Sequence, residues 1–210
     1  MQIAEEITQV FNFIGSLVCH QRPERTLFIG GQYLPVCARD TGAFIGLLLG
    51  YMLVLFLGRK AAKGPPNLYL SSAMMLPLFV DSFGQILGFW ISTNALRLLT
   101  GLFFGTALTP FLIYAHSLSF LKGKTPLIRK LEPENAVLDD QDSWFDAKAL
   151  LLGIIFSIVL FLTINSLADS AFPLFYWTLS IPIIISIVWH FFILLPILLI
   201  LALRKLMHSR

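Results

Sequence analysis

The sequence predicts an all-α membrane protein, a bundle of about five transmembrane helices preceded by a short interfacial or re-entrant helix. Of its 210 residues, 57% are hydrophobic and 13% are charged, against about 25% charged residues in a typical soluble domain. The apolar residues also collect in runs of about 20, the length that a helix needs to cross a bilayer. The expected partner is therefore the lipid bilayer.

Nucleic acid is excluded as a partner on the same evidence. The net charge of +3 arises from basic loops, and the chain has no interleaving of aromatic and basic residues that would form a nucleic-acid surface. It also has no nucleotide-binding glycine loop, so no nucleotide cofactor is expected.

The chain divides into three parts. Residues 1–118 form a membrane domain that carries the polar loop 19–40, residues 119–147 form a polar loop, and residues 148–210 hold two further helices and a basic tail. Residues 7–18 have helical apolar spacing but reach only about 18 Å, too short to span a bilayer. The predicted spans are residues 41–58, 68–91, 95–118, 148–167 and 174–203, the last with kinks at Pro182 and Pro196.

Small residues recur every four positions in the first and third predicted spans. Such a face has no side chains to hold helices apart, and small residues at contacts favour close packing of helices in lipid. We therefore expect the first three spans to pack through glycine faces, with the second or third span lying close to the first. The glycines expected at these helix contacts are Gly42, Gly46, Gly50, Gly101 and Gly105.

Basic residues predict the orientation of the chain. Residues 59–67, the loop 119–147 and the C-terminal tail carry most of the lysines and arginines, and five alternating spans place all three on one side. The positive-inside rule makes that side cytoplasmic. The sequence thus predicts a multi-pass protein of the cell membrane with residues 19–40 on the extracytoplasmic side.

The polar loop 19–40 holds both cysteines of the chain. Pro23, Gly30, Gly31 and Pro35 break helix and strand patterns, so a structured loop is expected, and Asp40 and Thr41 offer helix-cap chemistry. Zinc accepts sulphur, nitrogen and oxygen ligands, so one hypothesis is a zinc or similar divalent metal site made by Cys19, His20, Cys37 and Asp40. A disulfide between the two cysteines, or two free thiols, remain open alternatives.

Four arginines are expected on the extracytoplasmic side, against the positive-inside rule. A planar guanidinium binds two oxygens of a phosphate or carboxylate at once, so these residues could form a basic mouth for an anion. They are Arg22, Arg25, Arg39 and Arg97.

The second predicted span carries Asp81 and Gln85 on one face. An ionisable residue at membrane depth is costly unless it is paired or hydrated, and it is a functional candidate by default. A helix–helix hydrogen bond is the simpler alternative. Asp81, Gln85 and Arg97 are the candidate catalytic residues, and we expect one pocket to be lined by His20, Arg22, Arg39, Asp40, Asp81, Gln85 and Arg97.

These motifs resemble one known family. Residues 19–25 read Cys-His-Gln-Arg-Pro-Glu-Arg and residues 37–42 read Cys-Ala-Arg-Asp-Thr-Gly, followed by the Asp81 and Gln85 pattern and by residues 92–105. This double signature resembles an uncharacterised prokaryotic membrane family, the domain-of-unknown-function family 2085. Many of its members have cysteine where this chain has Asp40, which weakens a three-cysteine metal site here, although aspartate can still ligate. The resemblance implies no activity.

Three functions follow as hypotheses. The first is a metal-binding membrane protein whose arginines hold an anionic lipid or a phosphate-bearing substrate, with the question of catalysis left open. The second is a small transporter with Asp81 and Gln85 along its path, and the third is a structural or assembly subunit with a Cys19–Cys37 disulfide.

Overall fold

The computed structural model describes residues 2–56, 67–122, 147–196 and 199. This part of the chain is mostly helical, as the composition predicts. Its α-helices are α1 Gln2–Ser16, α2 Ala38–Phe56, α3 Leu68–Ile86, α4 Asn94–Lys122, α5 Ala147–Leu167 and α6 Pro173–Ile187. A π-helical segment, Val188–Leu194, continues α6.

Three of these helices contain segments that are long and apolar enough to cross a membrane, by length and composition, within the described residues. They are Asn94–Ile113 in α4, Lys148–Leu167 in α5, and Pro173–Phe192, which includes α6 and part of the π-helical segment. The predicted count of five spans is therefore not confirmed. Helices α2 and α3 each have 19 residues; α2 carries Arg39 and Asp40 in its first turn, and α3 carries one charged residue, Asp81.

The N-terminal segment is a helix, as predicted, and α1 packs against α6. The rings of Phe11 and Trp177 meet edge to face with their centroids 5.8 Å apart. Because the apolar positions of α1 follow helical spacing, one side of the helix can rest on α6 while its polar residues point away.

The loop between α1 and α2 folds into a short turn and a hairpin. A 3₁₀ turn, Pro23–Arg25, precedes two antiparallel strands, β1 Phe28–Ile29 and β2 Gln32–Tyr33. Gly30 and Gly31 connect the strands with φ angles of 65° and 81°, the left-handed backbone that a two-residue hairpin turn of type I′ requires. The loop is structured, as predicted, but its strands were not expected.

This hairpin is bonded to the connection between α5 and α6. The Gly30 N–H donates to the Ser170 carbonyl over 2.7 Å, and the Asp169 N–H donates to the Phe28 carbonyl over 2.8 Å. The loop 19–40 and residues 168–173 therefore lie at the same end of the bundle. The sequence predicted this arrangement from the alternation of spans.

The boundaries of two helices differ from the predicted ones. Helix α2 begins at Ala38 rather than at 41, because the Thr41 N–H already bonds to the Cys37 carbonyl, so Asp40 lies in the first turn and is not the cap. Helix α3 ends at Ile86 rather than at 91. The N–H groups of Gly88 and Phe89 bond to Gln85 and Gly84, which is the Schellman pattern of a helix end.

The last two boundaries concern α4 and α6. Thr93 caps α4 by accepting the Leu96 N–H on its hydroxyl oxygen over 3.2 Å. Along α6, the bonding changes to the π pattern over Val188–Leu194 before Pro196, so the distortion predicted near this proline begins N-terminal to it. Most of the basic segments that predict orientation, at residues 59–66, 123–146 and 201–210, lie outside the described residues.

Helices α2 and α4 pack through glycines, as predicted. A Cβ atom added at Gly46 would lie 2.5 Å from the Leu102 carbonyl oxygen, and one added at Gly101 would lie 3.0 Å from the Ala43 nitrogen. Gly42, Gly50 and Gly105 are equally close to the facing helix. Because the two backbones lie close together, the Thr109 hydroxyl on α4 can donate to the Leu47 carbonyl on α2, over 3.0 Å.

We expect Gly46→Ala to lower the thermal unfolding midpoint in detergent by several degrees. The added methyl group meets backbone atoms of α4, which cannot move aside as a side chain can, and such overpacking costs about 1–3 kcal/mol. Gly153→Ala is the matched control, since its methyl group would meet a Thr106 methyl at 3.2 Å. Equal midpoints for the two variants would contradict the close α2–α4 contact.

Candidate functional site

The end of α1 and the start of α2 are held together by Gln21. This residue has a φ of 49°, and its side-chain amide donates to the carbonyls of Asn12 and Pro35, each over 2.7 Å. Gly15 makes this approach possible, because a Cβ there would collide with the Pro35 carbonyl. As a result, Cys19 and His20 turn towards the N-terminus of α2.

Cys37 is the N-cap residue of α2, and Asp40 lies three residues further on, in the first turn. The Cys37 thiol donates to Asp40 Oδ2 over 3.2 Å, and the Cys37 N–H donates to the Cys19 sulphur over 3.2 Å. The three-residue spacing is that of a capping box, in which the cap and the third helical residue bond to each other. Here a cysteine takes the position of the usual serine or threonine.

Three candidate metal ligands lie close together at this cap. The sulphurs of Cys19 and Cys37 and a carboxylate oxygen of Asp40 are all within 4.8 Å of one another. Both cysteines are free and half-buried. Two sulphurs on one tetrahedral zinc ion are about 3.8 Å apart, given bonds of about 2.3 Å, so small side-chain movements would bring the three atoms onto one ion. His20 is outside this group, with an exposed side chain.

A cavity of about 350 Å³ opens beside the three ligands. It brings together all of the predicted metal and anion residues except Arg97. Its lining residues are Val18, Cys19, His20, Gln21, Arg22, Arg25, Cys37, Arg39 and Asp40. The sequence-predicted pocket is therefore present in its loop half, whereas Asp81, Gln85 and Arg97 do not line this cavity.

Asp81 lies behind the cavity and is paired. Arg39 Nη2 donates to Asp81 Oδ2 over 2.5 Å, and the Trp90 indole N–H donates to Asp81 Oδ1 over 3.4 Å. The side chain of Asp81 is 3% exposed and that of Arg39 is 23% exposed. Arg39 thus links the buried carboxylate to the cavity. Gln85, one helical turn further along α3, is half-buried and takes no part in this chain of contacts.

Arg97 is buried near the start of α4, with 5% of its surface exposed. Its Nη1 donates to Asn94 Oδ1 over 2.8 Å. Its Nε, like that of Arg39, is buried without a hydrogen-bond partner among the described residues. Arg97 is also close enough to Arg25 and Arg39 for their charges to repel one another. Arg97 therefore adds its positive charge to that of Arg25 and Arg39, although, contrary to the sequence prediction, it does not line the cavity.

The two thiols differ in acidity. A hydrogen bond with the Cys37 side chain lowers the pKa of Cys19 below its ordinary value. The same bond with Cys19, burial and the nearby Asp40 carboxylate all raise the pKa of Cys37. Cys19 is therefore the first of the pair to form a thiolate as the pH rises.

Two residues that build the site were not predicted from the sequence. Gln21 adopts a positive φ angle that no spacing rule reveals. Trp90 bonds to Asp81 because α3 ends early and the chain folds back. A Cβ at Gly84 would collide with the Trp90 indole. Gly84, as a site of close approach, and Gly88, as a helix-ending residue, are the sequence features that could have indicated this fold-back.

The fold and the site define a helical membrane protein with a cysteine–aspartate cluster beside a basic cavity. The chain belongs to the family of predicted membrane proteins designated DUF2085, whose profile matches residues 19–111. The match covers the loop and most of α2–α4, and it leaves out α5 and α6. This confirms the resemblance seen in the sequence.

Two archaeal relatives are similar to part of this chain. An uncharacterized protein of Methanothermobacter thermautotrophicus is 35% identical over 85 residues, 40% of this chain and 75% of the relative. An uncharacterized protein of Methanocaldococcus jannaschii is 37% identical over 90 residues, 43% of this chain and 58% of the relative. The chain therefore spans little more than half of the second relative. No solved structure matches.

The Arg39–Asp81 pair should respond unequally to the loss of each partner. Arg39→Gln leaves a buried carboxylate without its cation and should cost about 3 kcal/mol or more of unfolding free energy. Asp81→Asn should cost less, because Arg39 remains partly exposed to the cavity. Thermal unfolding in detergent measures both, with Arg22→Gln as an exposed control. A larger loss for Asp81→Asn would contradict the assigned burial.

Substoichiometric iodoacetamide at neutral pH should modify Cys19 before Cys37 in chelator-treated protein. Alkylation requires the thiolate, and the lowered pKa of Cys19 leaves more of it ionised at a given pH. Peptide mapping by mass spectrometry measures the order. The protein unfolded in sodium dodecyl sulphate is the control and should show similar rates at both sites. Faster modification of Cys37 in the folded protein would contradict the assigned hydrogen bonds.

Proposed function

We propose that this protein binds a divalent metal ion, zinc or one of similar preference, through Cys19, Cys37 and Asp40. The observation that carries the proposal is the mutual distance of the three ligand atoms, all within 4.8 Å. Thiolate and carboxylate are both established zinc ligands. A helix cap needs only one such residue. The proposal accounts for the presence of two cysteines and an aspartate at the start of one helix.

Three protein ligands leave a fourth position for water or substrate, the arrangement of catalytic rather than structural zinc sites. The cavity beside the ligands provides room for it. His20 lines that cavity and is near enough in sequence to approach the fourth position. An ion with an open position can polarise a bound oxygen as a Lewis acid.

The arginines of the same cavity suit an anionic substrate. Arg22, Arg25 and Arg39 line it, and guanidinium groups bind phosphate oxygens in pairs. A phosphate-bearing molecule or an anionic lipid held there would lie next to the metal. The combination supports a site that binds an anion and acts on it, with the metal on one side and the arginines on the other.

The other two hypotheses have less support from the geometry. Cys19 and Cys37 are free, and their sulphurs lie with an Asp40 carboxylate oxygen within 4.8 Å of one another, which favours a metal over a structural disulfide. Asp81 is enclosed by Arg39 and Trp90, which favours a structural ion pair over a group that lines a transport path.

We assign the site to the extracytoplasmic face of the cell membrane. The support is the distribution of basic residues under the positive-inside rule. An impermeant maleimide applied to intact cells should not label a Lys63→Cys probe in a background without Cys19 and Cys37. The same probe should become labelled after the cells are permeabilised. Labelling at position 63 in intact cells would reverse the orientation.

Purified protein should contain about one zinc ion per chain, measured by elemental analysis with thiol counting before and after reduction. Cys19→Ser, Cys37→Ser and Asp40→Asn should each lower the metal content, because each removes one of three ligands. Glu24→Gln is the matched control for Asp40→Asn, since Glu24 is exposed and lies outside the ligand group.

Metal binding should weaken as the pH falls. The ligand thiols must lose their protons to bind, and the raised pKa of Cys37 makes that loss harder at low pH. Titration with cobalt(II), followed by its thiolate absorption band, measures the apparent affinity. A protein that binds no metal, or whose thiols appear only after reduction, would favour the disulfide hypothesis instead.

A further inference from the structure

The connection between α3 and α4 is strongly apolar and exposed. Leu87, Phe89 and Ile91 have 64%, 74% and 90% of their surfaces exposed. A water-facing turn is normally polar, and contiguous exposed apolar side chains mark a surface that contacts lipid or another apolar partner. We call residues 86–91 the apolar turn.

The inner side of the apolar turn touches the charged cluster directly. The Trp90 indole N–H donates to Asp81, which is paired with Arg39, and Arg39 lines the cavity. An aromatic ring with one polar edge is typical of the boundary between hydrocarbon and headgroups. Two successive contacts, Trp90 to Asp81 and Asp81 to Arg39, therefore connect the apolar turn to a guanidinium group of the cavity.

The guanidinium groups near this boundary are only partly neutralised. Arg25, Arg39 and Arg97 share one electrostatic environment, and the described residues place two carboxylates beside them: Asp81, which is buried, and Asp40, which lines the cavity. Arg97 is 5% exposed and its Nε has no partner there. It also lies one turn into α4, where the helix dipole already carries positive charge and favours an anion.

We propose that the anion of this site is the phosphate of a membrane lipid, which enters sideways past the apolar turn and rests its acyl chains on Leu87, Phe89 and Ile91. The proposal rests on the proposed function for the position of the metal, and it names the substrate class of the same cavity.

The apolar turn does not line the cavity itself and is connected to it through Trp90, Asp81 and Arg39. A free phosphate would gain nothing from apolar side chains beside its site. A lipid matches both parts. Its headgroup phosphate is charged and suits the arginines, and its acyl chains are apolar and suit the exposed turn.

The test uses the full chain in nanodiscs of phosphatidylcholine with a minor share of phosphatidylglycerol. Lipids retained through delipidation are quantified by mass spectrometry, and the wild type should retain phosphatidylglycerol selectively. Arg25→Gln, which removes a cavity-lining arginine, should reduce this selectivity about tenfold, the effect of one charge-assisted hydrogen bond. Arg97→Gln should do the same if it folds.

The apolar part has its own matched pair. Leu87→Ser should reduce retention of phosphatidylglycerol, whereas Leu151→Ser, which changes an equally exposed leucine on α5, should not. Millimolar inorganic phosphate should fail to displace the lipid. Absence of selectivity in the wild type, or equal retention in the two serine variants, would overturn the proposal. Displacement by inorganic phosphate would assign the arginines to a soluble anion and overturn it as well.

The metal and lipid proposals can fail separately. Cys19→Ser should lose metal and keep its lipid selectivity, because the arginines remain. Leu87→Ser should lose lipid selectivity and keep its metal. A wild type that lacks metal but selects phosphatidylglycerol would overturn only the metal site. Loss of lipid selectivity in a folded Cys19→Ser variant would show that the arginines do not hold the lipid and would overturn the lipid proposal.

Discussion

The close contact between α2 and α4 is the constraint on which the site depends. A Cβ at Gly101 would collide with the Arg39 carbonyl, so the backbone at the start of α2 lies directly on α4. Arg97 is one turn before Gly101 on the same helix. Because glycine allows the backbones to meet there, Arg39 and Arg97 are brought together at the end of the bundle despite their like charges. In lipid, such contacts rely on small residues and close packing.

This contact creates an electrostatic problem that α3 partly solves. Two arginines at the starts of neighbouring helices repel each other and both helix dipoles, while a buried ion without a partner is strongly unfavourable. Asp81 supplies one carboxylate, and Trp90 completes its hydrogen bonds. Asp81 and the cavity-lining Asp40 supply two carboxylates, which do not balance three guanidinium groups. The remaining positive charge is a property of the folded chain itself, and a fold selected for stability alone would have no reason to keep it.

The sequence was most informative where a pattern has a local physical cause. Glycines at every fourth position predicted close helix contacts at those residues, because spacing alone sets which residues share a helix face. The spacing did not decide whether the second or the third predicted span would pack on α2. The concentration of cysteine and arginine in residues 19–40 predicted the cavity. The orientation of the chain in the membrane was predicted from the number of basic residues in each loop. Most of those loop segments lie outside the described residues.

What the sequence did not reveal depends on contacts between distant segments. Gln21 joins α1 to residue 35 through a backbone geometry that is unusual for its type. Trp90 reaches Asp81 only because Gly88 ends α3 early. The start of α2 was misplaced because the usual capping residues, Asp40 and Thr41, were weighed, whereas Cys37 holds the cap position. The Gln21 and Trp90 contacts are hydrogen bonds between separate segments, which local propensity does not contain. The bonds at the start of α2 are local, but cysteine is not one of the preferred N-cap residues.

The position of Cys37 connects the helix cap to the proposed ligand group. Its thiol bonds to Asp40 and its N–H bonds to the Cys19 sulphur, so the three ligands are held together before any ion arrives. A metal would replace the thiol proton between Cys37 and Asp40 and leave the backbone bond in place. The cost of ordering the ligands is then met by the folding of α2 rather than by metal binding, which distinguishes this arrangement from small zinc domains that are unfolded without their metal. A site preorganised in this way can exchange its ion or its fourth ligand without losing the fold around it.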